Sequence, residues 1–397
     1  MAISRSIQAT LEKSSWIRRM FETGARLKQE FGADQVFDFS LGNPDLDPPA
    51  EFSRALAREA SRQEPGLHSY MPNAGYPAVR ETLAAAIGRE YATDLAANDI
   101  IMTVGAGGAL NVALKSIINR GDYVAAPSPC FMEYQFYCEN HGGILNLIPS
   151  DENFIPNLDH IGEELGPRTV AVIINSPNNP TGVVYDQPFL DKLGELLREK
   201  SRINDRTIYL ISDEPYRKIV YGDKQPGNVF SAYENSMIAT SYSKELSIPG
   251  ERIGWLAINP AAEDHDNLVN AAVLCNRILG YVNAPALMQR VVAGLDGVSA
   301  EVDIYRRRRD LLCEILDEAG FEYTRPDGTF YLFPKAPGGD DLRVVQALQK
   351  ERILTVPGRG FGKEGYFRIS FCVSEETIRG AAEGFKKVGK ALGNGAH

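Results

Sequence analysis

Lys244 stands in the stretch TSYSKELSIPGERIG, Thr240 to Gly254, among small hydroxyl side chains and ahead of a Pro-Gly pair and Arg252. A lysine in a loop is ordinarily a solvated surface cation. Buried, its charged form is disfavoured, its pKa falls, and the neutral amine becomes a nucleophile toward an aldehyde. Arg252 offers fixed planar donors suited to phosphate oxygens. The Pro249-Gly250 turn can bring that arginine back toward the lysine.

Four other stretches carry residues of the same kind. TVGAGGAL places Gly105, Gly107 and Gly108 ahead of an apolar helix. Backbone N–H groups at such a helix start can hold a phosphate, although the run also reads as a tight turn. It lacks the Lys-Ser/Thr ending of a nucleotide P-loop. Asp213, in SDEPY, either caps the following helix or pairs with a protonated ring nitrogen, and Tyr216 follows it closely enough to present its hydroxyl to the same ligand. Asn179, in SPNNPTG, is a side-chain donor held between proline turns. Phe131, in PSPCFMEY, is either core or a ring that stacks on a flat ligand.

The elements that must position these residues follow from the hydrophobic pattern. Short apolar runs, among them IIMTV, YVAAP, TVAVIIN, TIYLIS, SMIATS and IGWLAI, end in small or polar residues, and most lead into helix candidates. That alternation predicts a three-layer α/β/α domain with a mostly parallel sheet. Ligands in such sheets sit beyond the carboxyl ends of the strands, where the residues above are found. Residues 5–31 read as a helix, 263–293 and 297–319 as long helices, and the sequence after 319 as an α+β unit. The expected organisation is an N-terminal segment, 1–48, packing with a small C-terminal domain, 295–397, around a large domain, 49–294. With 397 residues, two domains are the default.

Composition narrows the partners. The formal charge of -10 argues against nucleic acid, whose phosphates need a positive field. The five cysteines, at 130, 138, 275, 313 and 372, show neither zinc-ligand nor redox spacing, and no metal site is expected. No apolar run is long enough to span a bilayer, and the N-terminus does not read as a secretory signal. A cytoplasmic protein with free thiols is expected.

Taken together, the motifs resemble the class I/II aminotransferase family, fold-type I enzymes that use pyridoxal 5'-phosphate, in its aspartate aminotransferase-like branch. SYSKELSIPGERIG resembles the family's lysine signature, S-x-S-K-x-x-x-x-P-G-x-R-x-G. SPNNPTG resembles its asparagine loop and SDEPY its D-x-x-Y element. SLGNPD, YMPNAGYPAVRE, TVGAGGAL and YFRISF match in the same order, so the resemblance covers nearly the whole chain.

The resemblance implies roles. Lys244 would hold the cofactor's aldehyde and then move the substrate proton. Asp213 would pair with the pyridine nitrogen, Tyr216 and Asn179 with the ring oxygen, and Phe131 would stack on the ring. The phosphate would meet the backbone at Ala106, Gly107 and Gly108, the hydroxyls of Ser241 and Ser243, and Arg252. Tyr70 would reach the phosphate of the neighbouring subunit, which implies a homodimer. Arg368 would grip the substrate α-carboxylate, with Gly42 and Asn179 nearby. The implied reaction is a ping-pong transfer between an L-amino acid, aspartate before others, and a 2-oxo acid such as 2-oxoglutarate. Aromatic, alanine or methionine-type donors, or lyase chemistry on the same scaffold, are the alternatives. Arg277, Arg290 and Arg359 are candidates for reading the substrate side chain, Arg290 reading better as a helix-surface residue and Arg359 as a solvated loop arginine. Trp16 either covers the site or anchors the N-terminal segment.

Overall fold

The computed structural model describes residues 3–4, 7–8, 10–11 and 15–393, with the side chains of 15–21 outside the description. The short apolar runs become strands. β1 spans Phe37–Asp38, β2 Ile100–Thr103, β3 Tyr123–Ser128, β4 Ile144–Pro149, β5 Thr169–Asn175 and β6 Tyr209–Asp213. They are followed by β7 Ser236–Ser241, β8 Gly254–Ile258, β9 Tyr331–Leu332, β10 Ile353–Leu354, β11 Val356–Pro357 and β12 Phe367–Ser370.

Strands β2 to β8 form a seven-stranded sheet in the order β2-β8-β7-β6-β5-β3-β4. Neighbours run parallel except at β8, which is antiparallel to both β2 and β7. The interior strands read as continuous apolar runs because both faces are covered. Every residue of β5 is buried, and alternate side chains leave on opposite faces. Val172 and Ile174 join one core with Leu190, Leu193 and Leu197 of the Gln187–Ile203 helix. Ala171 and Ile173 join the other with Leu110 and Leu114 of the Gly105–Ile117 helix and Leu268 of the His265–Ile278 helix. Helices on both faces give the expected three layers.

The smaller unit combines both ends of the chain. β9, β11 and β12 form an antiparallel sheet with β12 in the middle. β1 pairs in parallel with β10, Phe37 opposite Ile353, which brings the N-terminal segment to the C-terminal one. The Val302–Ala319 helix packs on the Ala382–Gly393 helix.

The stretch expected as one helix over 263–293 is two, His265–Ile278 and Ala286–Val292. The periodic pattern continued through the break, but the backbone did not. Gly280 and Val282 are left-handed, with φ of 89° and 61°, and Pro285 caps the second helix. Left-handed glycine is a helix terminator, and proline fits a helix start. The N-terminal helix is described over Ser15–Phe31, so the earlier part of the expected 5–31 helix lies largely outside the described residues. Among the described residues, no helix is long and apolar enough to cross a membrane, and no cluster of acidic, His or Cys side chains is arranged for a metal. All five cysteines are buried free thiols.

Candidate active site

A cleft of about 330 Å³ opens at the carboxyl-end edge of the large sheet. Asn175 and Asp213 are the last residues of β5 and β6, and Ser241 is the last of β7. Because β8 runs the other way, its first residue, Gly254, pairs with both Ser241 and Thr103. Arg252, just ahead of β8, is thereby delivered to the edge where the parallel strands end. The single antiparallel strand thus places a cation among strand C-termini.

Most sequence-nominated residues meet here. Ala106, Gly107, Phe131, Ser241, Ser243 and Arg252 line one part of the cleft, and Gly42, Asn179, Asp213, Tyr216, Lys244 and Arg368 the rest. Two do not line it. Gly108 is buried and faces Val104, Thr103 and Tyr281. Tyr70 is 87% exposed, outside this chain's own cleft.

Lys244 sits in a single helical turn, Tyr242–Glu245, directly after β7. Its Nζ donates to the Gly42 carbonyl at 2.7 Å and lies 5.6 Å from the centre of the Phe330 ring. Burial pulls its pKa down to about 8, Cys372 opposes that shift, and the like charges of Arg368 and Arg252 add to it. The amine is therefore far closer to neutral than a surface lysine.

Asp213 carries the opposite perturbation. Its carboxyl is pushed up to about 7 by burial, against the hydrogen bond from Tyr134 that lowers it. Tyr134 donates to Oδ2, while Oδ1 is buried without a partner among the described residues. An orphaned carboxylate oxygen costs stability unless a ligand satisfies it.

Arg368, in the middle strand β12, is buried between two aromatic faces, 4.4 Å from the Tyr331 ring centre and 4.6 Å from that of Phe361. Nη1 donates to Asn179 Oδ1 at 3.0 Å and Nη2 to the Ser40 carbonyl at 2.9 Å, and Nε has no partner among the described residues. None of these is a carboxylate, so among the described residues a buried cation is held without a fixed counter-ion. Arg252 is similar: its Nη1 donates to the Pro249 carbonyl and to no carboxylate among the described residues, and its backbone is left-handed.

These residues fit a flat anionic aldehyde such as pyridoxal phosphate. Asp213 supplies an unsatisfied acceptor, Lys244 a desolvated amine, and Arg252 an anion partner. The glycines leave the space. A Cβ at Gly105, whose φ is +69°, would lie 2.9 Å from Arg252 Nη2, and one at Gly107 would lie 3.1 Å from the Tyr137 hydroxyl.

Several contributors escaped the sequence reading. Asn175 donates to the Asp213 carbonyl at 2.7 Å and accepts from the Asn179 N–H at 2.7 Å, tying two nominated residues together. Tyr134, Tyr137 and Tyr331 were also missed. The first two follow Phe131 at helical spacing, a signal that was available. Tyr331 is brought in from the far end of the chain and carried none.

The arginines nominated as side-chain readers are accounted for elsewhere. Arg290 is not a helix-surface residue. Its side chain is largely buried, donates to the Leu67 carbonyl at 2.8 Å and lies 3.5 Å from Glu59. Arg359 is not a free loop arginine, since it grips the wholly buried Asp341 at 2.7 Å. Arg277 is exposed at the end of its helix and lines no part of the cleft. The Trp16 side chain lies outside the described residues.

Comparison with known proteins places the chain among relatives along nearly its whole length. A family model described as aminotransferase class I and II matches residues 34–385. A probable aspartate aminotransferase of Methanocaldococcus jannaschii is 30% identical over 383 residues, 95% of this chain and 97% of the relative. An aspartate/prephenate aminotransferase of Thermus thermophilus is 33% identical over 370 residues, covering 90% and 91%. Among solved structures, an aminotransferase from Eubacterium rectale superimposes with a TM-score of 0.95 at 34% identity, over 99% of both chains. An aspartate aminotransferase from Thermus thermophilus with maleate gives 0.85 at 28% identity, over 98% of this chain and all of the other.

Proposed function

The chain belongs to the class I and II aminotransferase family. On that premise we propose that it is a pyridoxal phosphate-dependent transaminase, moving an amino group from an L-amino acid to a 2-oxo acid by a ping-pong mechanism. Aspartate is the proposed donor and 2-oxoglutarate the proposed acceptor. Relatives named for aspartate and a solved relative with maleate support that choice. The observation that carries the reading is the pairing, in one cleft, of a lysine lowered to about 8 with the orphaned oxygen of Asp213.

When bound, the cofactor supplies the aldehyde that receives the amine and a ring that withdraws electrons from the substrate's α-carbon. The chain does the rest. Lys244 would hold the aldehyde through Nζ, and its neutral amine is the group that would move the substrate's α-proton. A base with a pKa near 8 is well matched to that exchange near neutral pH. Asp213 Oδ1 would accept from a protonated ring nitrogen, which would offset the cost of its own burial. Arg252, the hydroxyls of Ser241 and Ser243, and the backbone at Ala106 and Gly107 would grip the phosphate. Tyr216 and Asn179, which line the same cleft, would donate to the ring oxygen. Asn179 commits its carbonyl to Arg368, which leaves its NH2 group to donate. Arg368 holds the α-carboxylate, fixing which bond of the α-carbon faces the base.

A homodimer is the proposed active unit. Tyr70 is exposed on a loop that Asn73 and Asn283 tie to the segment after Ile278, and the apolar Leu274 and Ile278 are exposed nearby. Tyr70 then serves the neighbouring subunit's phosphate.

The test is a titration of the purified holoenzyme with a panel of amino acids while the cofactor's absorbance is followed. Each accepted donor should convert the cofactor to its amine form, and an added 2-oxo acid should restore it. Release of ammonia with a keto acid, or no conversion with any donor, would overturn the transaminase reading.

A further inference from the structure

Tyr331 takes part in none of the roles above, yet it lies between two residues that do. It opens β9 in the small unit, opposite Ser370 of β12, two positions from Arg368. Its hydroxyl lies 3.0 Å from that of Tyr216, which follows β6 in the large domain. Its ring supports the Arg368 guanidinium at 4.4 Å. One buried side chain therefore touches both the proposed ring-oxygen donor and the proposed carboxylate clamp.

The position is built, not incidental. A Cβ at Gly42 would fall 1.7 Å from the Tyr331 hydroxyl, so the hydroxyl occupies the space that glycine leaves. The preceding residues are laced to the large domain. The Thr329 N–H donates to the Ile219 carbonyl at 2.9 Å, and the Gly328 N–H to the Gly182 carbonyl at 2.9 Å. Thr329 itself is left-handed, with φ 61°, and its hydroxyl accepts from the Tyr331 N–H at 3.0 Å. The ring of Tyr331 meets that of Tyr216 edge-on, with centres 5.6 Å apart.

The proton count gives this contact direction. Burial pushes the pKa of both phenols up, so both keep their protons near neutral pH. Two hydroxyls facing one another share one proton between their oxygens and have one to spare. If Tyr216 donates, the spare proton is that of Tyr331, wedged against Gly42. If Tyr331 donates, the spare proton is that of Tyr216, available to an acceptor in the cleft. An anionic ring oxygen in the cleft satisfies the second arrangement and leaves the first unsatisfied.

We infer that Tyr331 is a positioning residue: it donates to the Tyr216 hydroxyl, turns that residue's proton toward the ring oxygen of the bound cofactor, and supports Arg368 with its ring. This rests on the pyridoxal phosphate reading. Its two functions are separable, since phenylalanine retains the ring and loses only the hydroxyl.

The experiment uses purified holoenzyme without substrate. Ionisation of the bound cofactor is followed by absorbance across pH in the wild type, Tyr331→Phe, Tyr216→Phe and the double variant. Loss of the donor to Tyr216 weakens stabilisation of the anionic ring oxygen, so Tyr331→Phe should move the midpoint upward by about half a unit, roughly a threefold change in the equilibrium. Because Tyr331 acts through Tyr216, the double variant should match Tyr216→Phe alone. The KM for the amino acid should stay within about twofold in Tyr331→Phe and rise about tenfold or more in Tyr331→Leu, which also loses the ring beneath Arg368. Thermal unfolding of each variant confirms that it is folded. An unchanged midpoint in folded Tyr331→Phe, or full additivity in the double variant, would overturn the inference while leaving the transaminase reading intact. Absence of any cofactor absorbance in the wild type would instead remove the reading on which it stands.

Discussion

Tyr134 donates its phenolic hydroxyl to Asp213 Oδ2 at 2.5 Å, and the other carboxylate oxygen has no partner among the described residues. One tyrosine thus aims a buried carboxylate and keeps half of its hydrogen-bonding capacity for a ligand. It also restrains the pKa, which burial raises to about 7 and this bond lowers. Tyr134→Phe should therefore leave Asp213 more protonated at neutral pH in the cofactor-free chain. A charge-assisted hydrogen bond contributes roughly 1.5–3 kcal/mol, so pyridoxal phosphate affinity should fall about tenfold to a hundredfold. Equilibrium dialysis would read this, with the deficit shrinking as pH rises and the carboxyl ionises. A pH-independent deficit would mean that the tyrosine acts by packing alone.

Lys244 bears a cost that can be measured without catalysis. Its folded pKa is depressed to about 8 from an ordinary 10.5. The unfolded chain therefore binds the proton more tightly, and the fold is penalised wherever that lysine is charged when unfolded. The penalty is full below pH 8 and fades as pH rises toward 10.5, so this group makes the cofactor-free protein more stable across that window. Lys244→Met should stabilise the cofactor-free protein by about 2 kcal/mol near neutral pH, with the gain vanishing at the alkaline end. Denaturant unfolding at several pH values measures it. The same variant should lose essentially all turnover, and equal stability at neutral pH would show that Lys244 is not desolvated.

Arg368 should not tolerate replacement by lysine. Its guanidinium is fixed by Asn179 and Ser40 and sandwiched by Tyr331 and Phe361. An ammonium cannot reproduce the planar fork or both contacts. The expected outcome for Arg368→Lys is a loss of about 2–3 kcal/mol in transition-state binding, or roughly a hundredfold in kcat/KM. Steady-state kinetics with the preferred donor tests this, and near wild-type kcat/KM would place the carboxylate elsewhere.

Arg359 separates stability from specificity. It is bound to Asp341, which is fully buried and also accepts from the Arg359 backbone N–H at 3.0 Å. Removing one partner of such a pair strands the other charge. Arg359→Met should lower stability by about 2 kcal/mol, seen as a reduced Tm, with donor preference unchanged. A switch in donor preference without loss of stability would restore Arg359 as a side-chain reader.

The sequence alone determined the strands and most of the identities at their ends, although not the part Asn175 plays. Apolar runs ending in Asn175, Asp213 and Ser241 were legible because burial on both faces demands continuous hydrophobic strands and leaves polar residues only at their ends. The lysine, the arginine beyond its Pro-Gly turn and the glycine run were legible as local patterns. What the tertiary structure decided is what arrives from elsewhere in the chain. Tyr331 stands 115 positions from Tyr216, and Arg368 is 189 from Asn179, yet each pair is in hydrogen-bond contact. Arg290 and Arg359 looked available in sequence, and only packing showed them committed to Leu67, Glu59 and Asp341. Periodicity records which face of an element is buried. It holds no information on which distant side chain meets that face, because such contacts depend on how the elements pack and not on their spacing along the chain.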